Sequence, residues 1–255
     1  MQFIDTHSHL YDEAYATEED AAVARSIEAG VTGIILPDID SQTRQSMFDL
    51  ADRHPGSLFP CLGIHPTSVD AGWETEMEKI QDHISRKIVA IGETGIDCYW
   101  SKDFIQEQKT AFARQIELAH RLDLPVIVHS RDAAAVTLEI LRSHKHLDIR
   151  GVFHAFSGSI ETYREIEKLG EWYVGIGGVL TFKKASIAET VKDIPLERIL
   201  LETDAPYLTP VPFRGTRNES AYIPHIAEKM SQLKGCSMEE IAARTTANAQ
   251  KLFRI

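Results

Sequence analysis

Eight short apolar runs punctuate the chain, and each is followed by a stretch with helical periodicity. The runs cover residues 2–7, 32–37, 58–63, 88–93, 125–129, 151–154, 172–177 and 198–204. They are continuous rather than alternating, as in parallel strands that are covered on both faces. Helical patterns fill residues 17–30, 41–54, 74–86, 104–122, 133–144, 160–169 and 184–192, and two further helices close the chain. In the segment 104–122, the apolar positions Phe104, Ile105, Phe112, Ile116 and Ala119 trace one face. Thr17, followed by Glu18, Glu19 and Asp20, reads as a cap with an acidic first turn, and Gly30 as the stop. Ser237 with Glu240 forms a capping-box pattern at the start of the last helix.

Strand and helix alternating over this length predict an α/β protein, a (β/α)8 TIM barrel with a parallel eight-stranded core and an additional C-terminal helix. No linker, low-complexity tract or sequence repeat divides residues 1–255, so one domain is expected. A doubly wound open sheet is the alternative. Against it, no G-x-G-x-x-G follows the first strand.

Composition narrows the partners. Among 255 residues, 43% are hydrophobic and the net charge is -11, which argues against non-specific coating of nucleic acid. A local basic mouth on an acidic body is still compatible with that balance. The three cysteines, Cys61, Cys98 and Cys236, are odd in number, widely spaced and without CxxC, so a reducing compartment is expected. No apolar run approaches the ~18 residues of a membrane span. No basic stretch leads into an apolar one at the start, so no signal peptide is indicated. A cytoplasmic protein without a membrane partner is the expectation.

In such a barrel, chemistry sits at the C-terminal ends of the strands. His7 and His9 follow the first run, His65 the third, Glu93 closes the fourth, and His129, His154 and Asp204 end the fifth, sixth and eighth. His-x-His in a strand puts two imidazoles on one face, roughly 6.6 Å apart at Cα. They can then converge on one ion at about 2.1 Å from each nitrogen. Any one of these residues could be an ordinary loop residue, but five strands ending in His, Glu or Asp point to a metal centre. His7, His9, Glu93, His129, His154 and Asp204 are too many for one tetrahedral ion with an open position, and they suit two divalent ions. A nitrogen and oxygen set without Cys fits Zn, Mn, Fe, Co or Ni better than a purely oxygen site, with Mg kept among the candidates. His54, His83, His120, His144, His146 and His225 fall in helices or the loops after them and read as solvated.

The motifs D-T-H-S-H (5–9), G-I-H-P (63–66), G-E-T-G-I-D (92–97), V-I-V-H-S-R (126–131), H-A-F-S-G (154–158), E-T-D-A-P-Y-L-T-P (202–210) and R-G-x-R-N (214–218) together resemble the TatD-type metal-dependent deoxyribonucleases of the amidohydrolase-like barrel group. The resemblance runs in order through essentially the whole chain. It implies one metal on His7, His9, Glu93 and Asp204 and a second on Glu93, His129 and His154, with Glu93 bridging. It also implies Asp204 as acid/base and His65 as a residue orienting substrate or water. Two positions depart from the pattern: Cys98 where many relatives carry an aromatic residue, and Phe213 where many carry His. Neither is a ligand, so the departures bear on substrate preference.

Two metals about 3.5–4 Å apart suit phosphodiester hydrolysis, because one can carry hydroxide while the other neutralises phosphate. Arg131 after strand five and Arg214 and Arg217 after strand eight are candidate phosphate contacts. Lys183 and Lys184 read as solvated surface. Tyr99 and Trp100 could stack a terminal base or pack their own loop. The resemblance implies cleavage of DNA, as a 3′–5′ exodeoxyribonuclease on single-stranded ends in a DNA-repair setting. D-aminoacyl-tRNA deacylation, or another ester or amide hydrolysis on the same metals, stays open. A non-catalytic scaffold should have lost ligands, and all six are present.

Overall fold

A computed structural model describes residues 1–255, and all eight of its strands pair in parallel. They are β1 (Phe3–Asp5), β2 (Val31–Leu36), β3 (Leu58–Pro60), β4 (Ile91–Asp97), β5 (Val126–Arg131), β6 (Gly151–Phe153), β7 (Trp172–Ile176) and β8 (Ile199–Leu201). One sheet has the order β1-β2-β3 and the other β4-β5-β6-β7-β8. A doubly wound sheet needs a reversal of strand order, and neither sheet has one. Backbone hydrogen bonds span the gaps between the sheets. On one side Gly92 N donates to Leu62 O at 2.8 Å, and on the other Thr6 N donates to Leu201 O at 3.0 Å.

The helices are α1 (Glu19–Glu28), α2 (Arg44–Arg53), α3 (Trp73–Gln81), α4 (Ile105–Leu122), α5 (Ala134–Ser143), α6 (Ile160–Glu167), α7 (Ile187–Asp193), α8 (Ile223–Lys234) and α9 (Met238–Phe253). None is long and apolar enough to cross a membrane. Ile4, Ile35, Cys61, Ala90, Ile127, Val152, Tyr173 and Leu200 come from the eight strands or their flanks and meet in one buried cluster. Leu252 and Phe253 of α9 join that cluster, so the last helix covers one end of it. A larger apolar shell packs the outer faces of the strands against the helices.

Several expectations need correction. β1 stops at Asp5, so His7 and His9 lie just beyond the strand, and β5 runs past His129 to Arg131. The helix predicted from residue 17 starts at Glu19, and Thr17 does not cap it: its φ of 69° takes it out of the extended geometry that a cap requires. The fourth strand does not end at Glu93. Its ladder runs on through Thr94, Gly95, Ile96 and Asp97, paired with Val128 to Arg131, which places Glu93 inside the strand. β8 is shorter than predicted, and Asp204 lies beyond it in a left-handed turn (φ 57°). At Ser237 the sequence pattern holds, with Glu240 N donating to its hydroxyl at 3.1 Å.

Candidate metal centre

Two carboxylates and five imidazoles crowd together where the strands end. Glu93 is at the centre and almost fully buried. Its Oε2 lies 3.0 Å from His7 Nε2 and 3.7 Å from His9 Nε2. Its Oε1 lies 2.8 Å from His129 Nδ1, 3.0 Å from His154 Nε2 and 3.3 Å from His65 Nε2. Each oxygen of one carboxylate therefore faces its own group of nitrogens. Asp204 Oδ1 is 3.7 Å from both His7 Nε2 and His9 Nε2, and those two nitrogens are 3.2 Å apart.

Two donors held about 2.1 Å from a tetrahedral ion are about 3.4 Å apart, which is the spacing found here. The donor atoms of His7, His9 and Asp204 all lie within 4.8 Å of one another, as do those of His65, Glu93 and His129. The residues therefore fit a divalent cation chemically and geometrically. His7 and His154 also stack, with ring centroids 3.8 Å apart.

The backbone that carries these groups is tightly stitched. Asp5 is fully buried between the ends of β1 and β8. It accepts from His7 N at 3.2 Å, from Thr203 N at 2.9 Å and from the Thr203 hydroxyl at 2.5 Å. Asp204 N donates to His7 O at 2.9 Å, which fixes one candidate ligand against another. On the other side, Glu93 N donates to Asp38 O at 2.9 Å. Arg44 Nε ion-pairs with Asp38 at 2.6 Å in the interior.

The outer nitrogens of His9 and His129 are held as well. The Tyr11 hydroxyl donates to the Pro37 carbonyl. Its oxygen is then free to accept from His9 Nδ1, 3.0 Å away, which leaves His9 Nε2 with its lone pair toward the centre. His129 Nε2 sits 2.9 Å from Asp97 Oδ2. His154 Nδ1 lies 3.5 Å from Glu202 Oε1. Asp97, Glu202, Asp5 and Tyr11 are site residues that the sequence reading missed. Asp97 and Glu202 sit inside quoted motifs, 92–97 and 202–210, but neither ends an apolar run.

Burial penalises charge throughout the site. It pushes the Asp204 carboxyl up to about 7 against the opposing pull of His154, with the negative Glu93 and Glu202 adding to the rise. For Glu93, burial is outweighed by His154, His65 and His7, and its carboxyl falls well below the ordinary range. For His154, burial is outweighed by Glu93 and Glu202, so the imidazole holds its proton well above its usual value. Asp97 loses to burial but gains more from hydrogen bonds from His129 and the Trp100 and Tyr99 amides, and falls to about 2.

A model of the TatD related DNase family matches residues 4–254. The chain belongs to the TatD family. Among its relatives, the metal-dependent hydrolase YabD of Bacillus subtilis is 39% identical over 258 residues, covering 98% of each chain. YcfH of Escherichia coli K12, also a metal-dependent hydrolase, is 35% identical over 260 residues, covering 100% of this chain and 97% of the relative. The crystal structure of the TatD homologue YJJV from Escherichia coli K12 superimposes with a TM-score of 0.92 at 30% identity, covering 99% of this chain and 98% of that one. An amidohydrolase from Saccharomyces cerevisiae, 17% identical, shares the fold with a TM-score of 0.85 and covers 99% of this chain and 100% of that one. The chain is thus a TatD-family metal-dependent hydrolase acting on ester bonds, and its His, Asp and Glu clusters are those of a divalent metal site.

The other sequence-predicted site residues of this TatD protein divide. The Arg131 guanidinium lies 3.7 Å from the Tyr99 ring centroid and 5.4 Å from that of Trp100, and all three side chains are exposed. Arg214 is exposed and covers the Phe182 ring at 3.8 Å. Arg217 is committed elsewhere: it bonds Ala14 O at 2.7 Å, pairs with Glu18 at 2.6 Å and Glu219 at 3.1 Å, and lies over Tyr15. Lys183 and Lys184 are exposed, as expected. Phe213 stacks on Tyr222, with centroids 4.3 Å apart. Of the remaining histidines, His54 pairs with Asp20 at 2.6 Å, His83 stacks on Phe48, His144 Nδ1 lies 2.8 Å from Ile140 O and His225 stands edge-on to Phe213, so these four are engaged rather than simply solvated.

Proposed function

We propose that this chain is a single-domain, closed (β/α)8 barrel that hydrolyses phosphodiester bonds of DNA at two divalent metal ions, trimming single-stranded ends in the 3′–5′ direction. Closure is supported by the hydrogen bonds at both sheet gaps and by the inner cluster to which all eight strands or their flanking residues contribute. The two-metal reading rests on one observation above the rest: the two oxygens of Glu93 face different sets of imidazoles. His7, His9, Asp204 and Glu93 would hold one ion, and Glu93, His129 and His154 the other. When bound, such ions supply a water acidified toward neutral pH and neutralise phosphate charge.

The chain's own groups do the rest. Asp204 stands beside the His7–His9 pair, where a carboxylate oxygen can take or return a proton as a general acid/base. His65, with its Nδ1 2.6 Å from the Thr67 hydroxyl, is oriented to present Nε2 toward the centre, where it can position water or phosphate. Arg131 is placed to contact a phosphate from the rim, and Tyr99 and Trp100 offer exposed faces for a terminal base. Arg214 is a second rim cation. Arg217 serves this reading through the loop it ties to α1, since both of its acidic partners already neutralise it.

Purified protein supplied with single-stranded DNA, duplex DNA, RNA and D-aminoacyl-tRNA, with and without chelator, tests the assignment. Metal-dependent release of nucleotides from single-stranded 3′ ends is the expected result. Deacylation of the tRNA without DNA cleavage would replace it with the ester-hydrolase reading. Arg131→Ala is expected to raise KM for DNA about tenfold with a smaller change in kcat, because it removes both a cation and the support of Tyr99.

Metal affinity should depend on pH. A proton on Asp204 competes with the ion, and its carboxyl sits at about 7 in the metal-free chain. Below that value the affinity falls by about tenfold per pH unit for each proton displaced; above it the Asp204 contribution flattens, while the proton held on His154 must still leave. Calorimetric titration with Zn(II) at pH 6 and pH 8 in buffers of differing ionisation enthalpy reads this directly. Proton release at pH 6 is expected to exceed that at pH 8, and equal release would exclude a raised Asp204.

A further inference from the structure

Asp97 is a fully buried carboxylate whose two oxygens have separate partners. Oδ1 accepts from Tyr99 N at 2.9 Å and from Trp100 N at 3.0 Å. Oδ2 faces His129 Nε2 at 2.9 Å. On the other side of the same imidazole, Nδ1 faces Glu93 Oε1 at 2.8 Å. A neutral imidazole has one donor nitrogen and one acceptor nitrogen, so the partner of one nitrogen decides the chemistry of the other. A carboxylate at Nε2 can only accept. Glu93 Oε1 can only accept as well, so in the metal-free chain two carboxylates compete for the hydrogens of one imidazole. Once an ion engages Glu93, Asp97 would keep the hydrogen on Nε2 and leave the Nδ1 lone pair for the metal.

The geometry points to Asp97 as the positioning residue that fixes the His129 tautomer, and so decides whether the His129–His154 half of the centre can take its ion. The inference rests on the reading of His129 as a metal ligand and adds what controls that ligand. It also links the centre to the rim, because the same carboxylate holds the amides of Tyr99 and Trp100, the two aromatic residues under Arg131.

The arrangement makes the conservative substitution the damaging one. Asparagine has a single acceptor oxygen. The two loop amides can only donate, so in Asp97→Asn that oxygen stays with them and the NH2 group turns to His129 Nε2. Nε2 must then accept, the hydrogen moves to Nδ1, and Nδ1 can no longer bind a metal. Asp97→Ala lacks any partner for Nε2, and the imidazole is free to adopt the competent tautomer. Alanine does leave two loop amides without their acceptor, so it is the less stable variant of the two.

Metal-free wild type, Asp97→Asn, Asp97→Ala and His129→Ala, each titrated with Zn(II) by calorimetry and melted without metal, separate the possibilities. Wild type is expected to bind two ions and His129→Ala one. Asp97→Asn should lose its second ion, with affinity at that position at least about 100-fold weaker, while Asp97→Ala keeps it with about a 10-fold loss. Melting temperatures should rank the other way, with Asp97→Asn above Asp97→Ala. Nitrogen-15 spectra of the metal-free protein at about pH 9 should show the His129 hydrogen shared between Nε2 and Nδ1 in wild type, where each nitrogen faces a carboxylate, and confined to Nδ1 in Asp97→Asn. A second ion bound as well by Asp97→Asn as by Asp97→Ala, or an unchanged tautomer, overturns the role of Asp97 and leaves the ligand reading standing. Two ions on His129→Ala overturn the ligand reading itself.

Discussion

Glu93→Ala is expected to remove metal from both histidine groups and to take hydrolysis below about 10⁻³ of wild type. One carboxylate lies between His7 and His9 on one oxygen and His129, His154 and His65 on the other. Without it, five imidazoles face one another across a buried space, with Asp204 left as the one anion close to the His7–His9 pair. The elevated proton affinity of His154, which Glu93 sustains against burial, collapses as well. On the proposed two-ion assignment, loss of Glu93 weakens both positions, where loss of His129 alone weakens one. Glu93→Gln sharpens the test, because it keeps the shape and one carbonyl oxygen but removes the charge. Metal content per chain, read by mass spectrometry after dialysis, should fall toward zero in Glu93→Ala and stay partial in Glu93→Gln. A Glu93→Ala protein with wild-type activity, or a wild type that works after complete chelation, would sink the two-metal mechanism.

The centre was legible because its residues stand where apolar runs stop, and that signal has a physical basis. Strand interiors must be apolar where they meet helices, so a His or Asp at a strand end is free to serve chemistry. The same signal misplaced the end of β4. Thr94 and Asp97 are as buried as the apolar run before them, and hydropathy cannot distinguish a polar residue held by hydrogen bonds in a strand from one in a loop. Asp97 stayed hidden for that reason, and Glu202 because it sits just past the end of β8 with nothing in the sequence to show its partner. Each acts through a histidine from another strand, a relation that exists only after folding. Arg217 went the other way. Its residue type and place after β8 fitted a phosphate contact, while Glu18, which claims it, is 199 positions away.

Gly95→Ala should unfold the chain more easily than any exposed substitution and empty the His129 side of the centre. Gly95 lies between Glu93 and Asp97 and pairs in register with His129. Its φ is 142°, a region that residues with a side chain rarely adopt. A Cβ there would stand 2.0 Å from the His129 carbonyl oxygen and 3.1 Å from its amide nitrogen. Neither atom is at the end of a flexible side chain, so relief requires β4 and β5 to separate. Separation at this point pulls both Glu93 and Asp97 away from the one imidazole they share. Backbone strain and the steric clash together cost about 2–5 kcal/mol. In a domain of this size that lowers Tm by about 5–15 °C. Gly56→Ala is the matched control, because Gly56 also has positive φ (85°) but no atom within 4 Å of its Cβ position. It carries only the conformational term, about 1 kcal/mol, and leaves metal content unchanged. Melting curves and zinc content measured on the two variants together decide the matter, since strain alone predicts equal losses and contact with His129 predicts a large difference.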